Sequence, residues 1–285
     1  MEAPSGGVAK LYVVATPIGN LTDITLRALE VLKSVQLIAA EDTRVTATLL
    51  RHYGVATRML SLHSHNERES TRKVLAALHE GQSVALVSDA GTPAVSDPGA
   101  LLVTEASAAG FDVIPIPGAN AAITALSAAG ITGTGFLFCG FLPARPAARR
   151  TQLTALKTQP YSLVFYEAPH RIVEFIEDLL KVFGSERDVV LARELTKRFE
   201  SIHRCALGEA PAWLAGDSDR QRGEFVVIVS GNLQLETEDE AEARRVLEVL
   251  LEELPVKQAA ALAAQIVGRR KNELYDLALT LKKSS

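Results

Sequence analysis

Five polar turns hold the side chains able to do chemistry, and each follows a short apolar run: residues 16–20 after 11–15, 88–99 after 84–87, 117–122 after 112–116, 167–171 after 162–166, and 194–200 after 188–193. If the runs are strands of open sheets, the turns hang beyond the strands' carboxyl ends, where ligand crevices form in such sheets. Residues 88–99 are too long and too rich in Gly, Pro, Ser, Thr and Asp for a simple connection, so residues 89–96 are expected to touch a ligand. Asp97 and Pro98 are expected to stop the loop as cap and first helical residue. Glu167, His170, Lys197, Glu200 and Asp89 offer carboxylates, an imidazole and an ammonium, the groups needed to accept a proton or steady a developing negative charge. Gly118, Ala119, Ala121 and Ala122 allow a helix amino terminus to present its free N–H groups closely. Tight helix-on-sheet packing asks for the same residues, and solvated ion pairs account for the charged ones.

The elements that position these turns alternate as strand and helix. Residues 24–34 form an amphipathic pattern with Leu26, Leu29 and Leu32 on its buried side, and 35–40 return as a strand. Glu41, Asp42, Thr43 and Arg44 open the next helix, where acids suit the dipole and Thr43 can cap. His63 and His65 near Glu67 hint at a metal, but no third ligand stands at regular spacing. One glycine, Gly19, follows the first strand, so the Gly-x-Gly signature of a dinucleotide fold is missing. Residues 130–135 hold three glycines and suit a linker.

Composition sets limits around this frame. At 285 residues the chain is long enough for two or three modules, and 47% apolar with 5% aromatic residues suits an α/β enzyme. Two cysteines, Cys139 and Cys205, build neither a disulfide framework nor a metal site and point to a reducing cytoplasm. Residues 1–7 show no export signal. The charge-free stretch between Asp112 and Arg145 is broken by Pro and Gly and reads as core, with no membrane span expected. The net charge is −4, but residues 236–253 alone hold eight acids against two arginines, which leaves the remainder at +2 and permits RNA binding.

Residues 16–20, 40–44, 88–99, Pro117 and Gly118 with 121–126, residues 165–167 with His170 and Arg171, 192–197, and Gly223 with Glu224 resemble, in order along the chain, the bacterial 16S rRNA (cytidine-2′-O)-methyltransferases of the tetrapyrrole methylase superfamily. Pro117-Gly118-Ala119 stands where much of that family has Pro-Gly-Pro, which implies a slightly altered loop. The resemblance implies an α/β fold of two domains, residues 10–130 and 135–232, with S-adenosyl-L-methionine in the cleft between them, and a small all-α module over 239–285. It also implies a homodimer and methylation of a cytidine ribose at the decoding centre of the small ribosomal subunit. Carried over by position, the cofactor neighbours are Pro17, Gly19, Asp89, Gly91, Thr92, Val95, Ser96, Pro117, Gly118, Asn120, Ala121, Glu167 and Ala168.

A ribose 2′-hydroxyl is hardly ionised at neutral pH, so its attack needs a base or a cation. Lys197 with Glu167 or Glu200 is the preferred set, with His170 and Asp89 as further candidates. The same fold also serves methylases of small tetrapyrroles, which do not need a basic carboxyl-terminal extension, and a non-catalytic rRNA-binding assembly protein is the alternative from another class. For RNA contact the basic residues are Arg145, Arg149 and Arg150, and, in the tail, Arg269, Arg270 and Lys271. The tail reads as helices over 240–253, 255–267 and 271–281, with Gly268 ending the second and cations at the start of the third, like a helix-turn-helix. Docking of the tail as a plain helical bundle is the other reading.

Overall fold

The computed structural model describes residues 9–131, 135–232 and 238–284. The expected linker centre at 132–134, the amino-terminal residues 1–8 and residues 233–237 lie outside the described residues. The chain divides into one compact unit up to Gly231 and a second from Asn232.

The first unit begins with a parallel sheet of β1 (Lys10–Val14), β2 (Leu37–Ala40), β3 (Met59–Ser61), β4 (Val84–Val87) and β5 (Asp112–Ile116), in the order β3-β2-β4-β1-β5. Helices α1 (Leu26–Ser34), α2 (Thr43–His52), α3 (Glu67–His79), α4 (Ala100–Ala108) and α5 (Ala121–Ala129) follow the strands in turn. β2 and β4 are buried at every position, because helices cover both faces of a parallel sheet. Period-2 alternation sorts their side chains: Ile38, Ala40, Ala85 and Val87 share a core with α1 and α2, while Leu37, Ala39, Val84 and Leu86 share one with α3 and α4. Since all five strands run the same way, every loop that follows a strand leaves at one end.

The second sheet holds β6 (Phe136–Phe141), β7 (Ser162–Glu167), β8 (Asp188–Arg193), β9 (Ser201–Ala206) and β10 (Phe225–Val229), ordered β6-β7-β10-β8-β9. β6 and β7 are parallel and the remaining pairs antiparallel. Helices α6 (Pro146–Leu156), α7 (Ile172–Phe183) and α8 (Ala210–Ala215) cover one face around Phe165, Phe175, Leu179 and Leu191. The other face is covered by α5, whose Ala122, Ala125 and Ala129 pack against Val164, Val190, Val226 and Ile228. A helix that follows the first sheet therefore packs on the second, and its small residues allow that approach.

The second unit is three helices, α9 (Glu238–Glu253), α10 (Val256–Val267) and α11 (Lys271–Ser284), around Leu247, Ala260, Ala263, Leu274 and Ala278. Gly268, at φ 71°, ends α10 in the left-handed conformation that glycine adopts without strain.

Candidate active site

The loops after β1, β4 and β5 are tied together by backbone. Thr16 and Gly91 exchange N–H···O bonds of 2.9 and 3.0 Å, the Thr16 hydroxyl donates to the Ser88 carbonyl at 3.1 Å, and the Thr92 hydroxyl donates to the Ala119 carbonyl at 3.3 Å. The loop after β1 also meets the second sheet: the Asn20 N–H donates to Thr196 Oγ1 at 3.1 Å, and a Cβ on Gly19 would lie 2.5 Å from Lys197 Cγ and 3.0 Å from the Leu195 carbonyl.

Between these loops and the ends of β6, β7, β8 and β10 lies a cleft of about 320 Å³. Ile18, residues 90–92 and 95–97, Asn120 and Ala121 form one wall; Phe141, residues 166–169, Ala192, Leu195, Lys197 and residues 224–226 form the other. Phe141 reaches the cleft because the register shifts between Phe138 and Gly140, so both Phe138 and Phe141 meet the Tyr166 ring edge-on, at 5.0 and 5.5 Å. The Tyr166 hydroxyl accepts the Ala122 N–H at 3.2 Å, and Asn120 caps α5 by accepting the Ile123 N–H at 3.1 Å.

Glu167 is buried at the end of β7. Its Oε1 accepts the Ala168 N–H at 2.8 Å and lies 3.1 Å from Arg171 Nε, while Oε2 is buried with no hydrogen-bond partner. Burial raises its pKa above the ordinary carboxylate value, against the Ala168 N–H and the Arg171 charge. Lys197 Nζ sits 2.8 Å from Glu194 Oε1 and 2.9 Å from Glu224 Oε2. Burial alone would lower the lysine, but the hydrogen bonds to Glu194 and Glu224 outweigh it and raise the pKa, which holds the group as an ammonium. Burial likewise pushes Glu194 up, and the Lys197 bond with the Glu224 N–H brings it below the usual value. Asp97 lines the cleft half-buried, with its pKa raised by burial first and then by Asp89.

Of the expected cofactor neighbours, Gly91, Thr92, Val95, Ser96, Asn120, Ala121, Glu167 and Ala168 line the cleft. Pro17, Gly19, Asp89, Pro117 and Gly118 do not. Gly118 packs on Ala15, whose Cβ would be 2.9 Å from an added Cβ, and Gly19 packs on residues 195–197, so both glycines bring protein segments together. Pro17 and Asp89 line a second cavity of about 280 Å³ between α2 and the loops after β1 and β4.

Among the catalytic candidates, Lys197 reaches the cleft, while Glu167 borders it with its side chain fully buried, on the face of β7 that also carries Phe165. Glu200 instead accepts the Thr196 N–H at 2.5 Å, bracing a residue at φ 64°, and His170 is exposed on a 3₁₀ turn (Pro169–Arg171) away from the lining. Arg149 leaves the RNA-contact set: its guanidinium is buried, with Nε 2.8 Å and Nη2 2.7 Å from Asp178 Oδ2. Arg150 pairs with the other Asp178 oxygen at 3.2 Å, while Arg145 is exposed at the start of α6. In the tail, Arg270 and Lys271 are exposed and Arg269 pairs with Glu273 at 3.2 Å.

Two caps also differ from expectation. Helix α4 begins at Ala100 with Gly99 as its cap, its N–H donating to Glu67 Oε1 at 2.8 Å, so Asp97 is free to line the cleft. Asp42, not Thr43, caps α2. Sequence reasoning passed over Phe141, Tyr166, Asp97 and Glu194 as site residues; Tyr166 stood beside Glu167, but the bulge that aims Phe141 has its sign only in Gly140.

The family model for Tetrapyrrole (Corrin/Porphyrin) Methylases matches residues 10–211, and that for the RsmI C-terminal HTH domain matches residues 237–282. The chain is 53% identical over 278 residues to ribosomal RNA small subunit methyltransferase I of Escherichia coli O157:H7, covering 98% of this chain and 97% of that one. It is 55% identical over 271 residues to the Pseudomonas aeruginosa protein of the same name, covering 94% and 96%. Among solved structures, cobalt precorrin-4 methyltransferase, a cobalamin biosynthetic enzyme, superposes with a TM-score of 0.61 at 18% identity over 80% of this chain and 97% of that one. Uroporphyrin-III-C-methyltransferase of Thermus thermophilus does so at 0.56 and 21% identity over 78% and 94%, so these two share the fold. The chain belongs to the tetrapyrrole methylase family, in its branch of small-subunit ribosomal RNA methyltransferases.

Proposed function

We propose that this chain methylates the 2′-oxygen of a cytidine ribose in the 16S rRNA of the small ribosomal subunit, using S-adenosylmethionine held in the cleft between the two sheets. The observation that carries this reading is the match over nearly the whole chain to small-subunit rRNA methyltransferases, tail included. The cleft fits the methyl donor. Gly91, at φ 81°, turns the loop in a conformation that an L-residue would strain, Ile18, Val95 and Leu195 give apolar wall, and Asp97 sets a carboxylate near a cation. When bound, the sulfonium supplies an activated methyl group.

The chain's own residues do the rest. Lys197, pinned as an ammonium by Glu194 and Glu224, steadies the charge that develops on the attacking oxygen. Asp97, half-buried in the cleft lining and with its basicity raised by burial, accepts the hydroxyl proton. Its replacement by Asn lowers turnover by about 10²- to 10⁴-fold, the usual range for a positioned base.

The reading places the enzyme in the cytoplasm as a homodimer. Among the described residues no helix is long and apolar enough to cross a membrane. The test is reaction of small subunits with labelled cofactor, alkaline digestion and a search for an alkali-resistant labelled dinucleotide. A methyl found only on a base refutes the assignment.

A further inference from the structure

The second cavity adjoins the cleft residue by residue: Ser88 and Asp89 line it where residues 90–92 line the cleft, and Thr16 and Pro17 line it where Ile18 lines the cleft. The Thr16–Gly91 backbone pair stands at this boundary. Pro17, Leu21 and Leu49 supply apolar surface, and two polar groups of the lining have hydrogen-bonding capacity that the protein leaves unmet.

The first is the Thr46 hydroxyl. Thr46 is 3% exposed and its Oγ1 is buried with no hydrogen-bond partner. A helical threonine usually gives its proton to the carbonyl four residues back, as Thr48 does to Arg44. Thr46 does not, so a buried polar atom lines a cavity with its bonding unmet. The second is Asp89. Its Oδ1 accepts the Asp42 N–H at 3.0 Å and its own N–H donates to Glu41 Oε2 at 3.3 Å, which orients the carboxylate, while Oδ2 has no hydrogen bond among the described residues.

We propose that this cavity receives the base of the acceptor nucleotide and selects cytosine, with the Asp89 carboxylate accepting a hydrogen from the exocyclic amine and the Thr46 hydroxyl meeting the base edge. The proposal rests on the ribose-methylation reading above, which puts the attacking oxygen in the adjoining cleft. A nucleobase has apolar faces and a polar edge, which the lining matches. Asp89 lines the cavity with Glu41 and Asp42 beside it, and the neighbouring cation, Arg44, is already paired with Asp42 at 2.6 Å, so the local balance disfavours a phosphate and favours an amino donor; carboxylates pair with the cytosine amine. Uracil presents a carbonyl oxygen at the same place, which a carboxylate repels.

The test uses the full chain and small subunits carrying either C or U at the methylated position, once that position is mapped. Wild type prefers C. Asp89→Asn keeps an oxygen for the Asp42 N–H but adds an amide donor suited to uracil, so the C-to-U ratio of kcat/KM falls by about tenfold or more. Thr46→Val raises KM for C-bearing subunits several-fold, melts no earlier than wild type because no hydrogen bond within the protein is removed, and is rescued by Thr46→Ser. An unchanged C-to-U ratio in Asp89→Asn together with an unchanged KM in Thr46→Val overturns the proposal while ribose methylation stands. Absence of any ribose methylation by wild type overturns it together with the reading beneath it.

Discussion

Replacing Gly223 by Ala tests how the cleft lysine is held. Gly223 has φ 85°, and a Cβ there would lie 2.3 Å from Glu194 Cγ and 2.6 Å from its Oε1. That oxygen accepts both the Lys197 ammonium at 2.8 Å and the Glu224 N–H at 3.0 Å. Two costs add. The left-handed backbone costs an L-residue about 1–2 kcal/mol, and displacing Glu194 removes charged hydrogen bonds worth about 1–3 kcal/mol once their partial exposure is allowed for. The variant is therefore expected to lose about 2–5 kcal/mol. Gly81→Ala is the control, because Gly81 has φ 81° with nothing within 4 Å of an added Cβ; it carries the backbone cost alone, about 1–2 kcal/mol. Urea unfolding of both variants reads the difference, and methyl transfer is expected to fall at least about tenfold in Gly223→Ala only, as the cation leaves its place. If the two variants lose equal stability and Gly223→Ala transfers methyl groups at the wild-type rate, the glycine does not hold this array in place.

Three further outcomes follow from particular side chains. Asp178→Ala strands the buried Arg149 guanidinium, whose other carboxylate, Glu174, is 3.6 Å away and largely exposed, and is expected to cost about 3–5 kcal/mol by denaturant unfolding; the same change in an Arg149→Met background costs far less, and equal costs refute the pairing. For Glu167, whose folded pKa is raised by burial, stability from the group is complete below its unfolded value and is lost as pH rises through the folded value. Glu167→Gln is therefore expected to gain on wild type in melting temperature between pH 4 and pH 8, and a gap that shrinks over that range has the wrong sign. Replacing Arg269, Arg270 and Lys271 together by Ala is expected to weaken small-subunit binding and flatten its log–log salt dependence by roughly 0.7–0.9 for each phosphate no longer neutralised, with cofactor affinity kept; an unchanged slope assigns the tail to packing.

The first sheet was legible because its strands obey simple rules: apolar runs buried on both faces, punctuated by Gly and Pro, with amphipathic helices between. The second was harder. β9, Ser-Ile-His-Arg-Cys-Ala, is an edge strand with no fully buried residue, so it lacks the alternation that marks a strand, and the antiparallel pairing of β10 with both β7 and β8 leaves no local sign. Small residues are ambiguous in a particular way. The resemblance puts Gly19 and Gly118 beside the cofactor, and in the structure the space that a Cβ would take at each is filled by Lys197, Thr196 and Ala15. Close approach to a ligand and close approach to another chain segment demand the same missing side chain, so only the fold separates them.

Charged residues show the same ambiguity resolved by partners. Glu167, Glu194, Glu200 and Glu224 end, follow or precede strands of one sheet and look alike in sequence. Glu194 and Glu224 fix the Lys197 ammonium, and Glu200 braces the left-handed turn at Thr196. Only Glu167 among the four has an oxygen buried with its bonding unmet, but its side chain has no exposed surface and its other oxygen stands 3.1 Å from Arg171 Nε, so it is Asp97, half-buried in the cleft lining with its pKa raised by burial, that meets the attacking hydroxyl. A carboxylate already engaged by an ammonium is a weaker base than one held in an apolar place, since the cation favours the charged form and burial disfavours it. Glu194, brought below its ordinary value by Lys197, is thus the wrong group to take a proton, and Lys197, raised by its partners, is the wrong one to accept it at neutral pH. The division of labour in the cleft, with proton acceptance at Asp97 and charge stabilisation at Lys197, follows from which side chains the fold has already paired and which it leaves facing the cleft.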